Sequence, residues 1–388
     1  LLVELHTEEL PPKALRRLGD AFAESLAGGL RDRGFLTDAS TVTPYATPRR
    51  LAVSVTHVLA VAPDKEVDEK LMPAKVARTP DGQPSEALKK KLAGMGRAEL
   101  ATATLEAAVG PDRLYVASDG KAEYVFLRSL AKGQVLERGL QEALDDAIAK
   151  LPIPKVMSYP GPGAYWNAEK FVRPAHRLVA LHGADIVPVE ALGLSAGRTT
   201  GGHRFLGRRD VEIATADAYA PTLEAEGKVI PSFDARRAAI EAGLAKAAQG
   251  DVPIAPDALL DEVASLVEWP VVYAGTFDPA FLAVPQECLI LTMQQNQKYF
   301  ALTDAEGRMR ARFLLVSNLA TEDPAAIVAG NERVLRARLA DARFFYDQDR
   351  RQRLDARLPK LASVVYHHKL GSQGERVMRL VAIAKAIA

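Results

Sequence analysis

The chain has 388 residues, of which 48% are hydrophobic and 26% are charged, and its formal net charge is +1. This balance excludes a largely disordered protein, and the length predicts several domains of roughly 100 to 200 residues each. The only cysteine, Cys288, excludes an internal disulfide, and no apolar run approaches the roughly 18 residues that span a bilayer, so we expect a cytoplasmic protein without membrane contact.

Positive charge is concentrated near the end of the chain. Residues 331–380 include 12 Lys or Arg against 6 Asp or Glu, so this segment has a net charge of +6 and the remainder −5. Lys and Arg contacts to phosphates supply most of the non-specific affinity for nucleic acids. The distribution predicts an RNA-attracting surface in this segment, although a solvated helix face would have the same composition.

The first part of the chain alternates short strands with longer helices. Pro11 and Pro12 fit the start of a helix, which Gly34 ends, and Pro152 and Pro154 stop a second helix. The predicted elements are strands at 3–6, 50–58, 113–117 and 124–130 and helices at 13–33 and 134–150. A segment rich in Pro and Gly at 152–163 is the predicted domain boundary.

The second part mixes helices and strands and then becomes helical. We predict a hairpin from 178–181 and 186–192, helices at 216–225, 234–248 and 257–267, and strands at 271–274, 298–302 and 313–317. Strands and helices do not alternate at the spacing of a doubly wound sheet. The predicted fold class is therefore α+β and multidomain, with mixed modules at 1–151 and 164–322 and a mostly helical domain at 323–388.

A row of arginines marks the helical segment. Arg336, Arg343, Arg350 and Arg357 recur every seven residues, and on one straight helix they would lie within roughly 60° of each other and could follow a phosphate backbone. Two leucines fall in the same sector, so we expect a bend near residues 346–349 that divides the row into two shorter basic patches.

Three adjacent aromatic residues, Phe344, Phe345 and Tyr346, occur on the same predicted helix. Aromatic rings can stack on unpaired bases. Such a triplet belongs more often to the core, so we expect Tyr346 at most to be exposed.

Three further motifs combine cations with aromatic or turn residues. In QNQKYF, Lys298 and Tyr299 could hold a phosphate and a base, or could lie on a strand facing water. In FVRPAHR and GGHRFLGRR, Arg173, His203 and Arg204 could contact RNA or seal a domain interface.

Evidence for catalytic chemistry in the sequence is weak. GLSAG at 193–197 matches the nucleophile elbow of serine hydrolases around Ser195, but a glycine-broken segment follows where that elbow needs a helix. Asp347 and Asp349, and the neighbouring His367 and His368, do not converge as metal ligands should. No phosphate-binding loop is present.

VPQECLILTMQQNQKYF, FLLVSN and GNERVLRARLADARFFYDQD between residues 284 and 349 together resemble the β subunit of the bacterial tetrameric glycyl-tRNA synthetase. Six further motifs of the same family occur earlier in the chain and in family order: LLVELHTEELPPKAL, TPRRLAV, LPIPKVM, FVRPAH, GHRF and EVASLVEWP. The resemblance therefore covers essentially the whole chain.

The resemblance implies a subunit of an aminoacyl-tRNA synthetase with no catalytic residue of its own. Its expected partners are a catalytic α subunit, in an α₂β₂ assembly, and tRNA(Gly), with no role for DNA. ATP with Mg²⁺ is expected at the α subunit and no cofactor in this chain. The terminal helices are expected to begin an incomplete HD-like domain, which would make the chain an amino-terminal fragment.

Specific residues are expected to serve these contacts. The expected tRNA contacts are Lys298, Tyr299, Arg336 and Arg343, and the expected interface or tRNA contacts are Arg173, His203 and Arg204. Two alternatives remain open: a metal-dependent or serine hydrolase, and a scaffold for the α subunit that does not touch RNA.

Overall fold

The computed structural model describes residues 1–102, 112–118, 120, 122–161 and 164–388, so residues 162 and 163 of the predicted boundary lie outside it. The chain forms two compact units, the first made of Leu1–Gly201 with Asp210–Leu223 and the second of Gly202–Arg209 with Glu224–Ala388. Helices and strands are mixed and the strands form several small sheets, which confirms the α+β class. The three-module division stays a prediction.

A seven-stranded sheet forms the centre of the first unit, with strand order β11-β12-β9-β1-β3-β2 and β10 added to β9. Strand β1 is buried along its whole length, as a strand covered on both faces must be. The strands of the unit are β1 (Leu2–Thr7), β2 (Val42–Thr47), β3 (Arg50–Val55), β4 (Lys65–Pro73), β5 (Arg113–Ser118), β6 (Glu123–Ala131), β7 (Met157–Gly161), β8 (Ala164–Phe171), β9 (Ala175–His182), β10 (Asp185–Ile186), β11 (Glu190–Ala191), β12 (Leu194–Gly197), β13 (Thr199–Thr200) and β14 (Val211–Glu212).

Two long helices of the first unit pack against each other through glycine. A Cβ atom at Gly29 would lie 2.9 Å from the Cβ of Ala143, and one at Gly139 would lie 2.1 Å from the ring of Phe35. Small residues at these positions allow the close approach of the helices. The helices of the unit are α1 (Leu15–Asp32), α2 (Ala74–Ala77), α3 (Glu86–Gly94), α4 (Leu136–Lys150) and α5 (Tyr219–Thr222).

Strands β4, β6 and β5 form a separate sheet in that order, and the helices α2 and α3 share its apolar core. The polar sequence of β4 gave no strand prediction, and its first six residues are exposed. The backbone pairing with β6, from Lys65 opposite Ala131 to Pro73 opposite Tyr124, fixes its conformation instead. The central strand β6 was predicted at 124–130, because this stretch follows a turn signal that ends at Gly120, and it is observed at Glu123–Ala131.

A buried polar network lies on the central sheet. Glu4 on β1 accepts hydrogen bonds from the hydroxyls of Thr200 and Tyr219, and its Oε2 is 3.5 Å from Nε of Arg50. All four side chains are fully buried or nearly so, and their mutual bonds compensate the loss of water. Next to this network, His6 is buried with neither ring nitrogen bonded to a described residue.

The second unit surrounds a four-stranded antiparallel sheet of order β15-β17-β18-β16. Its core includes Phe313 within the sheet, Leu289 and Met293 from the segment that precedes Phe300 in the chain, and Leu335 and Leu339, which follow the sheet. The strands are β15 (Val252–Pro253), β16 (Val271–Thr276), β17 (Phe300–Thr303), β18 (Met309–Ser317), β19 (Val365–His367) and β20 (Gly371–Ser372). The helices are α6 (Phe233–Ala248), α7 (Asp257–Ala264), α8 (Gln286–Thr292), α9 (Ala325–Arg350) and α10 (Gln373–Ile387).

From residue 216 onward, the predicted elements differ from the observed ones in three places. The helix predicted at 216–225 is a chain of short 3-10, α and π turns, and the strand predicted at 298–302 begins only at Phe300. The terminal segment is not wholly helical, because β19 and β20 form a small hairpin before α10. In the described part of the chain, no helix is both long and apolar enough to cross a membrane.

Candidate functional site

Two of the sequence motifs, FLLVSN and QNQKYF, contact residues 262–270 of the second unit, which we call the EWP segment. This segment contains the end of α7 and the loop that leads into β16. The backbone N–H groups of Glu268 and Trp269 both donate to Oδ1 of Asn318, at 2.7 and 3.0 Å. Asn318 is the last residue of the FLLVSN motif, so the side chain of this motif holds the backbone of the EWP segment in place.

A buried arginine holds the same segment from inside. Arg236 on α6 is fully buried and donates to the carbonyl oxygen of Ala264, at the end of α7, and to that of Ile230. A cation near the last carbonyls of a helix is stabilised by the helix dipole. Sequence reasoning missed Arg236 because it looks like one of many helical surface arginines.

Two lysines contact the EWP segment from turns of the same kind. The π turns Leu223–Gly227 and Met293–Gln297 are followed by Lys228 and Lys298, which have left-handed backbone conformations with φ of 52° and 58°. Nζ of Lys228 lies 5.5 Å from the ring centroid of Trp269. π turns and left-handed non-glycine residues occur often at functional sites.

Lys298 forms an ion pair with the other end of the segment. Its Nζ is 3.1 Å from Oε1 of Glu262 and donates to the carbonyl oxygen of Gln295 at 3.0 Å. The side chain is 28% exposed. Lys298 therefore lies at the surface in a turn, not on the predicted strand, and its charge is partly neutralised by Glu262.

Tyr299 does not lie at the surface. Its side chain is 3% exposed, its ring centroid is 4.8 Å from that of Phe313, and its hydroxyl donates to Oδ1 of Asn331 at 2.6 Å. Burial raises the pKa of Tyr299 to about 12. The expectation that this ring contacts tRNA is corrected: Tyr299 connects the QNQKYF motif to the GNERVL motif inside the core.

Arg336 and Arg343 are both exposed on α9, as the sequence predicts. With Arg350 they form a row that spans two heptads and therefore drifts by roughly 40° around the helix. The only ion pair of Arg343 with a described residue is a long one, 3.9 Å from Asp347. Helix α9 ends at Arg350, so Arg357 lies beyond the row and pairs with Asp349 at 3.1 Å. We call Arg336, Arg343 and Arg350 the basic row.

The aromatic triplet on α9 is oriented opposite to the prediction. Phe344 and Phe345 are 57% and 64% exposed, whereas Tyr346 packs against the core of the unit. The buried stripe of the helix contains Leu335 and Leu339, and Tyr346 continues it seven residues after Leu339. The expectation that the two phenylalanines belong to the core was wrong.

The two motifs that combine histidine with arginine, GGHRFLGRR and FVRPAHR, behave differently. In residues 202–209, which we call the GHRF loop, His203 is 2% exposed and Arg204 is exposed. Nδ1 of His203 accepts hydrogen bonds from the N–H groups of Phe205 and Leu206, both at 3.2 Å. Because Nδ1 accepts, the ring carries its proton on Nε2. His203 thus holds the loop, while Arg204 faces solvent.

Arg173, from FVRPAHR, lies in the first unit. It is partly exposed, and it donates to the carbonyl oxygen of Val172 at 2.8 Å and contacts Sδ of Met157 at 3.3 Å. These contacts fix the side chain against the strand pair β7 and β8. The residue as a whole remains partly exposed.

The two hydrolase hypotheses find little geometric support. Ser195 lies on β12, within a hairpin whose turn is Leu192-Gly193, and its hydroxyl donates to Glu190 on the facing strand at 3.0 Å. A nucleophile elbow needs a strand, a sharp turn at the serine and a helix instead. Among the residues with described positions, no three His, Cys, Asp or Glu side chains form a group that could hold a metal ion.

Comparisons with known proteins identify relatives along the entire sequence. A family model described as "Glycyl-tRNA synthetase beta subunit" matches residues 1–388. Proteins named glycine–tRNA ligase beta subunit from Ralstonia nicotianae, Leptothrix cholodnii and Dechloromonas aromatica are 55%, 56% and 54% identical over 388, 390 and 396 residues. Each alignment includes 100% of this chain but 53 to 55% of the relative, so the chain spans about half the length of these relatives.

Proposed function

This chain belongs to the glycyl-tRNA synthetase β subunit family, and we propose that it is a non-catalytic part of a glycine–tRNA ligase. In this proposal it binds tRNA(Gly) and a catalytic α subunit, where ATP with Mg²⁺ activates glycine before transfer to the 3′ end of the tRNA. We further propose the α₂β₂ assembly, an HD-like domain that begins at α9, and a cytoplasmic location, which suits the free and exposed thiol of Cys288.

The basic row on α9 is the observation that carries the RNA-binding part of the proposal. Arg336 and Arg343 are exposed on α9, whose buried residues are Leu335 and Leu339. The charge of Arg343 is only weakly compensated by its long contact to Asp347. Arginines at heptad spacing on one side of a rigid helix can follow successive phosphates.

Lys298 and the other expected contacts take different roles in this proposal. Lys298 would contact a phosphate through the exposed part of its ammonium group while Glu262 holds the side chain in place. Arg204 and Arg173 would contact RNA or the α subunit, and His203 would position the loop that carries Arg204. Tyr299 would act only by supporting the backbone next to Lys298.

Retention of tRNA(Gly) at two salt concentrations tests this function. The chain is mixed with purified α subunit, and filter binding is measured at about 50 mM and 200 mM salt, with α alone and the chain alone as controls. Because bound phosphates release counterions, we expect the affinity of the mixture to fall at least about tenfold with the added salt. The mixture should retain more tRNA than α alone.

A second outcome would favour the scaffold function instead. If α charges tRNA normally in the presence of the chain but the chain adds no tRNA retention at either salt concentration, the chain supports α without touching RNA. A stable complex of the two proteins by size-exclusion chromatography is expected under both functions.

A further inference from the structure

We propose that Phe205, on the GHRF loop, stacks on an unpaired base of the RNA bound by this protein. This inference rests on the proposed tRNA-binding function and adds a specific contact to it. Phe205 is 82% exposed, one of the most exposed large apolar side chains of the described residues.

The loop that carries Phe205 is held rigidly by its own backbone. The N–H of Gly202 donates to the carbonyl oxygen of Arg208 at 3.1 Å, and that of Gly207 donates to the carbonyl oxygen of His203 at 3.2 Å. The ring of His203 accepts from the N–H of Phe205 itself. The backbone position of the aromatic ring is therefore fixed before any ligand binds.

The loop is also anchored to the π turn that precedes Lys228. The N–H of His203 donates to the carbonyl oxygen of Gly227 at 2.7 Å, and the N–H of Arg208 donates to that of Glu226 at 3.1 Å. A Cβ atom at Gly207 would lie 1.9 Å from the carbonyl oxygen of Gly227, so no other residue fits there without movement. These hydrogen bonds and the close approach at Gly207 thus fix a loop whose aromatic residue is exposed to solvent.

Burial does not explain the position of this ring. Its one aromatic neighbour among the described residues is His203, with ring centroids 6.3 Å apart, and it belongs to none of the apolar clusters described above. A phenylalanine held rigidly in solvent adds nothing to folding through burial. A binding partner that covers the ring would recover that free energy.

The charges around Phe205 favour RNA as that partner. Arg204, Arg208 and Arg209 lie within four residues of it and are all exposed, and Arg208 pairs with Glu226 at 2.7 Å. An aromatic ring flanked by cations is typical of surfaces that bind single-stranded nucleic acids, where the ring stacks on a base and the cations contact flanking phosphates. Bases inside a duplex are already stacked, so the contacted nucleotide must be unpaired.

Substitutions at Phe205 in the complex with the α subunit separate base stacking from other apolar contacts. Phe205→Ala and Phe205→Leu should weaken binding of tRNA(Gly) by about tenfold or more, whereas Phe205→Tyr and Phe205→Trp should keep it within about twofold, because only the latter retain a stacking face. Equal binding by all variants, or full rescue by Leu, would overturn the proposal. Since the ring is exposed, the midpoint of thermal unfolding should be unchanged.

Photocrosslinking identifies the class of partner directly. A benzophenone amino acid placed at position 205 should give an adduct with tRNA(Gly) on irradiation of the complex. An adduct with the α subunit or with the chain itself, or no adduct at all, contradicts stacking on RNA.

A control separates this inference from the proposed function. If the unsubstituted complex shows no salt-dependent tRNA retention, the proposed function has failed and this inference fails with it. If the complex retains tRNA and the Phe205 variants bind equally well, only the stacking contact is wrong.

Discussion

At the scale of single residues, Tyr299 and His6 show how burial changes a polar side chain. The sequence predicts a tRNA contact for Tyr299, whereas His6 ends the strand that is predicted at 3–6. In the structure each is enclosed, and burial shifts the pKa of Tyr299 upward and that of His6 downward. Substitution of either residue should therefore change the free energy of unfolding.

Tyr299→Phe tests the structural role of that residue. The substitution removes the hydrogen bond to Oδ1 of Asn331 but leaves the ring packed on Phe313. We expect the free energy of unfolding to decrease by about 1 kcal/mol in urea titrations, the typical contribution of one such bond. Affinity for tRNA(Gly) should stay within about twofold. A large loss of affinity for tRNA(Gly) without a change in the free energy of unfolding would show that Tyr299 contacts the tRNA directly.

His6 predicts a loss of stability in mild acid. Burial, together with the charges of Arg50, Arg49, Arg177 and His176, lowers the pKa of His6 from its ordinary 6.5 to about 2. Below pH 6.5, His6 is protonated in the unfolded chain but stays neutral in the native state. The free energy of unfolding therefore falls as the pH decreases towards 2. Between pH 7 and pH 5 the contribution of His6 is up to about 2 kcal/mol.

Comparison with His6→Gln isolates this contribution. Both proteins are unfolded with urea at pH 7 and pH 5, and the difference between the two pH values is compared. The variant should lose about 2 kcal/mol less than the original protein over this interval, because the other titrating groups are common to both. An identical pH dependence of the two proteins would show that His6 titrates normally.

At the scale of secondary structure elements, periodicity predicted the long helices well. The helices α1, α4 and α6 each follow an amphipathic or capped stretch of sequence, and they were located to within a few residues. Strand β4 was missed because its polar residues show no alternation, and only the pairing with β6 makes it a strand. Local pattern cannot reveal an element whose conformation depends on a distant partner.

The candidate site shows the same limit. The exposure of Arg336 and Arg343 followed from helical spacing, whereas the burial of Tyr299 depends on Phe313 and Asn331, which come from later elements. The exposure of Phe344 could have been predicted from its angular distance to Leu335 and Leu339. On this helix, angular position determines burial and residue type does not.

Two glycines test the close packing of helices in the first unit. A Cβ atom at Gly28 on α1 would meet no atom within 4 Å, whereas one at Gly139 on α4 would lie 2.1 Å from the ring of Phe35. Gly28→Ala should increase the free energy of unfolding by up to about 1 kcal/mol, the difference in helix propensity. Gly139→Ala should decrease it by about 1 to 3 kcal/mol because of overpacking.

The two variants serve as controls for each other, since both exchange glycine for alanine inside a long helix. Their unfolding midpoints in urea should therefore shift in opposite directions. A shift of both midpoints to higher urea concentration would mean that α4 can move away from Phe35 at little energetic cost.

At the scale of the whole molecule, charge is divided more unequally than its net value of +1 indicates, and the segment that contains the basic row is positive. Replacement of Arg336, Arg343 and Arg350 together by Gln should reduce the salt dependence of tRNA binding in the complex. Removal of one phosphate-binding arginine lowers the slope of log affinity against log salt by about 1, so a decrease of about 2 to 3 is expected from filter binding over a salt series.

Arg308→Gln provides the matched control. Arg308 is exposed like the arginines of the row, but its charge is compensated by Asp304 at 2.9 Å and Glu306 at 3.1 Å. Its replacement removes the same positive charge from the same unit and should leave the slope unchanged. If the triple variant and the control changed the slope by the same amount per arginine, tRNA would respond only to the overall charge of the protein, and the basic row would not be a specific phosphate-binding surface.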